Sequence, residues 1–217
     1  MRPSATTLKP EISDAEMSAL LRALHAQPRA GWHLEIGTAA GGTLREMMRS
    51  FSAEKRPHFV VVDPMTYFPD QLSIVRRNLA SAGIDPGSVE FRISKSWPAY
   101  QAAERANERY AFMFIDGSHK AHRVMQDICW ARLLEPGGLL CFHDYTPRLP
   151  GVVFAVDRLL AASPNYEIVE RAGSMMILRK TAASERPEVS RGDLLLAQVV
   201  NLGHQLAAGA RKRLRRK

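Results

Sequence analysis

The feature that most restricts the fold of this sequence is a regular alternation of short apolar runs with longer stretches of helical character. Apolar runs typical of buried strands occupy 33–36, 58–62, 89–93, 111–115 and 139–142. The stretches between them, at 43–51, 70–82, 97–108 and 120–134, are predicted to be helices. Short apolar strands separated by helices predict a parallel sheet that is covered on both faces, which is a doubly wound α/β fold.

The pattern changes after the fifth predicted strand. Residues 152–160 are predicted to form a helix, and residues 166–170 and 174–178 to form two strands joined by Arg171-Ala172-Gly173. Because so short a connection cannot bring the chain back for parallel pairing, we expect these strands to be antiparallel. Five parallel strands followed by an antiparallel hairpin form an unusual variant of the doubly wound pattern.

Helices are also predicted at both ends of the chain. Ser13-Asp14-Ala15-Glu16 is a capping box, and it predicts a helix over 14–27 that ends at Pro28. Residues 192–214 are predicted to be helical, with Leu195, Val199, Leu202 and Leu206 on one face. We therefore divide the chain into an N-terminal helical segment (1–30), one domain (31–180), a linker (181–190) and a C-terminal amphipathic helix with a basic tail (191–217).

The net charge of +8 belongs mainly to the C-terminal tail. Six of the last seven residues are basic, so the rest of the chain is close to neutral. Three interpretations of the segment stay open: a packing or dimerisation helix, a helix on an anionic membrane surface, or an arm that binds nucleic acid. Nucleic acid is the least favoured of the three because no aromatic residues alternate with the basic ones.

Composition and targeting signals favour a cytoplasmic protein. No apolar run reaches the roughly 20 residues that a membrane span needs, and the first residues lack the pattern of a signal peptide. Cys129 and Cys141 lie in apolar segments and are too few for a disulfide framework. We expect both to be reduced core residues, and we expect the protein to be a homo-oligomer.

The turn after the first strand contains several small residues and indicates a ligand loop. Gly37, Gly41 and Gly42 allow a sharp strand-to-helix turn at which backbone N–H groups face a ligand, although an ordinary turn would also use them. Asp63, at the end of the second strand, can accept hydrogen bonds from a ribose diol or can cap the following turn. The two features together predict an adenosine-type ligand.

Three details favour S-adenosylmethionine over a nicotinamide dinucleotide. The glycines do not follow the G-x-G-x-x-G spacing of pyrophosphate loops. Glu35, two residues before Gly37, suits a ligand with a cationic end such as an amino acid ammonium group. The antiparallel hairpin at the end of the sheet also departs from the nicotinamide-binding fold.

Four segments, 35–43, 61–64, 114–119 and 134–145, resemble the class I S-adenosylmethionine-dependent methyltransferases. More narrowly, they resemble the group of macrocin-type and cephalosporin-biosynthesis O-methyltransferases. The resemblance covers about residues 28–180 and implies a Rossmann-like sheet of seven strands in the order 3-2-1-4-5-7-6, with strand 7 antiparallel. Together with the loop analysis, it predicts these cofactor-binding residues: Glu35, Gly37, Thr38, Ala39, Gly41, Thr43, Asp63, Ser96 and Asp116.

Polar side chains that follow the fourth and fifth strands predict the reaction site. Because carboxyl ends of parallel strands meet at one edge of a sheet, Asp116, His119, His143 and Asp144 are expected to converge. Two carboxylates and an imidazole could hold a divalent ion, although Asp116-Gly117 is also a common turn and Asp144 and His119 could be caps. The resemblance implies that Asp116 and Asp144 bind Mg²⁺ and that His119 is the general base.

His143 departs from the resembled group, whose members often carry an acid at that position. An imidazole is a poorer ligand for Mg²⁺ than a carboxylate is. The candidate metal ligands are Asp116, His143 and Asp144, with Mg²⁺ or Mn²⁺ as the candidate ion. Because of His143, the identity of the metal and the need for one stay open at this point.

The sequence thus predicts an O-methyltransferase that acts on the hydroxyl group of a sugar, polyol or phenolic small molecule. An RNA or protein methyltransferase targeted by the tail is an alternative. Against it, the fourth strand ends in Asp116-Gly117-Ser118-His119 and not in an Asn/Asp-Pro-Pro-aromatic motif. The sequence also leaves open a nicotinamide-dependent oxidoreductase and a binding module without catalytic activity.

Overall fold

The computed structural model describes residues 9–26 and 31–214. The strands are β1 (Trp32–Ile36), β2 (Phe59–Val62), β3 (Val89–Arg92), β4 (Tyr110–Ile115), β5 (Leu134–Phe142), β6 (Tyr166–Ala172) and β7 (Met175–Lys180). The helices are α1 (Asp14–His25), α2 (Gly42–Arg49), α3 (Gln71–Ala80), α4 (Ser96–Arg105), α5 (Ala121–Ile128), α6 (Pro150–Ala162) and α7 (Arg191–Leu214).

The seven strands form one sheet in the order β3-β2-β1-β4-β5-β7-β6. The first five strands are parallel, and β7 lies antiparallel between β5 and β6. The predicted α/β fold, its strand order and its antiparallel hairpin are therefore confirmed. The carboxyl ends of β1, β2, β4 and β5 meet along one edge of the sheet, which is hereafter called the carboxyl edge.

Helices cover both faces of the sheet, so the inner strands are apolar on both sides. In β2, Phe59 and Val61 pack towards α1, α2 and α3, whereas Val60 and Val62 pack towards the layer of α4, α5, α6 and α7. This burial on two sides explains why the inner strands are continuous apolar runs without polar alternation.

One predicted helix was too long. The stretch 120–134 contains α5, which ends at Ile128, and a 3₁₀ turn over Cys129–Leu133. β5 then begins at Leu134 and not at the predicted residue 139. Gly138 permits this extension, because a Cβ there would lie 2.8 Å from the carbonyl oxygen of Ala111 on β4.

The terminal helices form as predicted. Ser13 and Glu16 make both hydrogen bonds of the predicted capping box. Residue 27 and Pro28, where we expected α1 to end, lie outside the described residues. Cys129 and Cys141 are buried free thiols.

The segment between β7 and α7 contains no helix or strand, but it packs against the domain. Glu188 is buried and its carboxylate pairs with Lys180 Nζ at 2.8 Å. This buried ion pair holds the segment against the end of β7. Among the described residues, no helix is both long and apolar enough to span a bilayer.

The loop after β1 passes so close to the end of β4 that only glycine fits. Gly37 has φ of +83°, and a Cβ there would lie 2.4 Å from the carbonyl oxygen of Asp116 and 2.6 Å from Gly117 Cα. Both obstacles are backbone atoms of a strand end, so neither can move aside cheaply. Gly37 therefore fixes the distance between the ligand loop and Asp116.

We predict that Gly37→Ala lowers the free energy of unfolding by about 3 kcal/mol or more, because it combines a left-handed backbone with a backbone clash. Gly83→Ala is the matched control, since Gly83 has φ of +71° but no heavy atom lies within 4 Å of its Cβ position. Gly83→Ala should lower the free energy of unfolding by only about 1 kcal/mol. Urea unfolding measures the free energy of unfolding of both variants. Equal decreases would contradict the conclusion that the backbone of Asp116 and Gly117 excludes a Cβ at Gly37.

His33 on β1 is buried against the rings of Phe51, Phe59 and Phe112. Burial, and to a lesser degree the charge of His25, lowers the pKa of His33 to about 4. The folded protein therefore holds His33 neutral at pH values at which the unfolded chain takes up a proton.

This depressed pKa predicts a pH-dependent loss of stability. Between about pH 6.5 and pH 4 only the unfolded chain is protonated at residue 33, so the free energy of unfolding falls as the pH is lowered. We expect the wild type to lose about 3 kcal/mol more than His33→Leu over this range. The free energy of unfolding of both proteins is measured in urea across this pH range. If it falls equally in the wild type and in His33→Leu, His33 does not contribute to the pH dependence.

Candidate active site

A cavity of about 620 Å³ opens at the carboxyl edge. It is bordered by the loops that follow β1, β2, β3, β4 and β5. The residues predicted from the sequence that line it are Glu35, Gly37, Thr38, Ala39, Thr43, Asp63, Ser96, Asp116, His119, His143 and Asp144. The sheet therefore brings the predicted ligand loop and the predicted reaction residues into one cavity.

Gly41 is the predicted cofactor residue that does not line the cavity. It precedes α2 with φ of +79°, and its Cβ position lies 2.9 Å from a side-chain methyl of Val75 on α3. Glycine is needed here for a left-handed turn and for close packing against α3. Gly41 shapes the loop and does not face the cavity.

The N-terminal segment lies across the start of α2, which the sequence did not predict. A Cβ on Gly42 would be 2.7 Å from the backbone nitrogen of Pro10. This packing places Lys9 and Glu11 in the cavity wall. No local motif marks these residues, because their position depends on a contact between distant parts of the chain.

Asp63 organises the ligand loop. Its carboxylate accepts hydrogen bonds from the backbone N–H of Thr38 at 3.0 Å, from that of Met65 at 2.6 Å and from Gln71 Nε2 at 3.3 Å. The same Gln71 nitrogen also donates to the carbonyl of Ala39. Asp63 faces the cavity, and its predicted contact with a ribose stays a prediction.

Glu35 is almost fully buried on β1, and its Oε2 has no hydrogen-bond partner among the described residues. Burial, together with the charges of Asp116 and Asp63, raises the pKa of Glu35 to about 8. A buried carboxyl group in this state gains from a cationic ligand, because the opposite charge offsets the cost of ionisation.

Ser96 begins α4, and its hydroxyl accepts a hydrogen bond from Trp130 Nε1 at 3.0 Å. Asp127 on α5 lies beside Ser96 in the cavity wall, and burial raises the pKa of its carboxyl group to about 7. Asp127 was not predicted from the sequence, because a single acid within a helix gives no signal of its own.

Asp116, His143 and Asp144 form a cluster in which one ligand atom from each lies within 4.8 Å of the others. His143 Nδ1 is 3.0 Å from Asp116 Oδ1 and 3.7 Å from Asp144 Oδ1. Burial opposes protonation of His143, but the hydrogen bond to Asp116 and the nearby carboxylates raise its pKa to about 9. The predicted convergence of these three residues is confirmed.

Asp144 also contacts the predicted base. Its Oδ2 lies 2.7 Å from His119 Nε2, and this contact raises the pKa of His119. Asp144 has φ of +63°, a left-handed conformation that few residues other than Gly, Asn and Asp adopt readily. The two carboxylate oxygens of Asp144 thus face two different histidines.

Glu16 connects α1 to this cluster. One carboxylate oxygen accepts from the backbone N–H and the hydroxyl of Ser13, and the other accepts from the same two groups of Ser174, at 2.7–2.9 Å. His143 Nε2 lies 3.7 Å from Glu16 Oε2. Burial alone would raise the pKa of Glu16, but the hydrogen bonds from Ser13 and Ser174 lower it to about 2.

We predict that Glu16→Gln lowers the free energy of unfolding by about 2 kcal/mol or more. Each carboxylate oxygen accepts from a backbone N–H, which can only donate, so on either side the amide NH₂ would face a donor in a buried position. Asp14→Asn, on the exposed side of the same turn, should cost only a few tenths of a kcal/mol. Thermal or urea unfolding measures the difference, and equal costs for both variants would contradict the assigned role.

Solved structures with this fold include several methyltransferases. An O-methyltransferase from Bacillus cereus in complex with S-adenosylhomocysteine has a TM-score of 0.62 and 21% identity, over 82% of this chain and 84% of that one. TomG from Streptomyces achromogenes, an O-methyltransferase of tomaymycin synthesis in complex with S-adenosylmethionine, has a TM-score of 0.61 and 18% identity over 79% and 82%. CalS11, a TDP-rhamnose 3'-O-methyltransferase of calicheamicin biosynthesis, has a TM-score of 0.59 and 16% identity over 75% and 76%.

The sequence matches a family model over residues 34–145, just over half of the chain. The family is described as a methyltransferase domain, and the match extends from β1 through the ligand loop to His143 and Asp144. The fold, the cavity and this match agree with one another. The chain therefore belongs to this methyltransferase domain family, and it shares its fold with O-methyltransferases that bind S-adenosylmethionine or S-adenosylhomocysteine.

Proposed function

We propose that this methyltransferase acts on the hydroxyl group of a small molecule and that a divalent cation assists the reaction. The observation that carries the proposal is the pair of His119 and Asp144, which lies beside Asp116 in the same cavity as the ligand loop. A histidine oriented by a carboxylate is suited to removing a proton from a hydroxyl group.

The chemistry of the cavity fits S-adenosylmethionine. Glu35 has an unpartnered buried oxygen, and the ammonium group of the cofactor would give it a cationic partner. Gly37 and Thr38 bring backbone into the cavity wall, where it can contact the ligand. The cofactor supplies a methyl group that its sulfonium has already activated, so the protein has to orient and deprotonate the acceptor.

His119 is placed to act as the base. Its Nε2 faces Asp144, which leaves Nδ1 for a substrate proton and stabilises the imidazolium that forms. About half of the His119 side chain is exposed, so a substrate can reach it from the cavity mouth.

Asp116, His143 and Asp144 would hold the divalent ion, which would lower the pKa of the bound hydroxyl group. Their mixed nitrogen and oxygen donors suit Mn²⁺ better than Mg²⁺, because imidazole is a poor partner for Mg²⁺. An ion bound here would replace the proton that His143 carries in its contact with Asp116.

The substrate class we propose is a sugar, polyol or phenolic compound with two neighbouring oxygens, because both could bind one metal ion. The O-methyltransferases named above, one of which acts on TDP-rhamnose, support this class. The family match argues against the nicotinamide alternative, and no contact in the described residues favours RNA or protein as substrate. The cytoplasmic location and the homo-oligomeric state stay predictions.

Calorimetry tests the cofactor and the metal. We expect S-adenosylhomocysteine to bind with a dissociation constant of about 1 to 100 μM. We expect Asp144→Asn to bind Mn²⁺ at least about tenfold more weakly, while its affinity for S-adenosylhomocysteine stays unchanged. Asparagine keeps the left-handed backbone at this position, so the variant removes the negative charge and one acceptor oxygen without disturbing the turn.

Glu185→Gln, an exposed acid far along the chain, is the control for Mn²⁺ binding. Equal Mn²⁺ affinities in Asp144→Asn and the control would contradict the metal site. Absence of S-adenosylhomocysteine binding in the wild type would contradict the cofactor assignment.

His119→Asn tests the base. With catechols, glycosides and polyols as acceptors, we expect the release of S-adenosylhomocysteine to fall by about 100-fold or more while the affinity for it stays unchanged. If His119→Asn turns over substrate as fast as the wild type does, His119 is not the general base. Methylation of bulk RNA or protein, with none of the small molecules methylated, would overturn the proposed substrate class.

A further inference from the structure

Helix α7 has one face packed on the domain and a second face that the described residues leave uncovered. Ala197 is buried and Leu194 packs against the core beneath α5 and α6. On the outer side, Leu195, Val199, Leu202 and Leu206 are 56–68% exposed. Their spacing of four, three and four residues places them in one stripe along the helix, hereafter called the apolar stripe.

The direction of α7 brings its last part to the side of the cavity. Near its start, Asp193 pairs with Arg158, which lies in the later part of α6. Further along, Asn201 contacts the side chain of His122 in the first turn of α5, directly after the cavity residues His119 and Lys120. α7 therefore runs towards the carboxyl edge.

The helix does not end at the carboxyl edge. It continues from Asn201 to Leu214, a length of about 20 Å at 1.5 Å per residue. The apolar stripe thus extends past the level at which α5 begins. Six basic residues follow it in the last seven positions of the chain: Arg211, Lys212, Arg213, Arg215, Arg216 and Lys217.

We propose that the apolar stripe and the basic run dock this protein on an anionic lipid surface, with the cavity on the side that faces the lipid. Leu and Val side chains on one stripe can enter the boundary between headgroups and acyl chains, and a basic cluster is attracted to acidic headgroups. Exposed Lys95 and Lys120 at the cavity rim add positive charge on the same side.

The charge of the basic run favours an anionic lipid surface over a second copy of the chain as the partner of α7. Two α7 helices side by side in parallel would bring two basic runs together. In antiparallel order, each run would meet the start of the partner helix, where Glu188 and Asp193 are already paired with Lys180 and Arg158. An antiparallel pair would thus offer six basic residues little more than the exposed Glu185, whereas an anionic bilayer offers an acidic headgroup to each of them.

A nucleic acid would satisfy the basic run but not the apolar stripe. Its phosphates offer no apolar surface for Leu195, Val199, Leu202 and Leu206, and α7 has no aromatic residue for stacking on bases. The combination of stripe and charge therefore favours lipid.

Sedimentation of the full chain with vesicles tests the proposal. We expect binding to vesicles of phosphatidylcholine with phosphatidylserine, little binding to phosphatidylcholine alone, and weaker binding as salt rises from about 0.1 M to about 0.5 M. Leu202→Gln with Leu206→Gln should abolish binding to the acidic vesicles. These positions are exposed and glutamine is a good helix former, so the fold should be kept.

The charge contribution is tested with a matched pair of double variants. Arg211→Gln with Arg213→Gln should weaken binding to acidic vesicles by roughly 25-fold, since each basic residue near the surface contributes a factor of about five. Arg49→Gln with Arg77→Gln, on α2 and α3 at the opposite face of the sheet, removes the same charge and should leave binding unchanged.

Binding of S-adenosylhomocysteine, measured on the same preparations, separates this proposal from the proposed function, because docking does not require the cofactor. Failure of the wild type to bind acidic vesicles at low salt would overturn the proposal. Undiminished binding of the Leu202→Gln, Leu206→Gln variant to acidic vesicles would overturn the proposal as well. A dimer in light scattering that these leucine substitutions dissociate, without vesicle binding, would assign the stripe to a second copy.

Discussion

The contact between the ends of β1 and β4 is the constraint on which the rest of the site depends. Gly37 lies against the backbone of Asp116 and Gly117, at a distance that admits a hydrogen atom and excludes a methyl group. The predicted ligand loop and Asp116, the first residue of the polar cluster, are therefore in direct contact. A shift at one is transmitted to the other, since packed backbone has little room to relax.

Several acidic residues lie close together in the cavity. Glu11, Glu35, Asp63, Asp116 and Asp144 all line one cavity, and burial and mutual repulsion raise the pKa values of Glu11, Glu35 and Asp116. Two histidines and the basic residues Lys9, Lys95, Lys120 and Arg123 line the same cavity. A cationic ligand beside the buried acids would offset the cost of ionising them, which agrees with the proposed sulfonium cofactor that carries an ammonium group and with the proposed divalent ion.

Sequence patterns were sufficient for the strands, the helices and the antiparallel hairpin, because apolar runs such as 59–62 and the short hairpin connection reflect local and periodic constraints. The order of the strands in the sheet came from the family resemblance and not from these patterns. They also located most of the cavity, since residues that follow parallel strands must converge. They did not find Glu11, Gln71 or Asp127, which enter the site through contacts between distant segments. They also missed the position of Glu16: its capping box is visible in the sequence, but its hydrogen bonds to Ser174 span 158 residues.

The left-handed backbone at Asp144 has a consequence for how this enzyme can evolve. The turn itself is satisfied by Gly or Asn at least as well as by Asp. A lineage that kept the fold but no longer needed the chemistry would therefore be free to lose the charge at this position without losing the turn. Under the proposed mechanism, structure and catalysis thus place separate demands on Asp144, and we expect relatives with Gly or Asn at this position to keep the turn without the proposed metal and base chemistry.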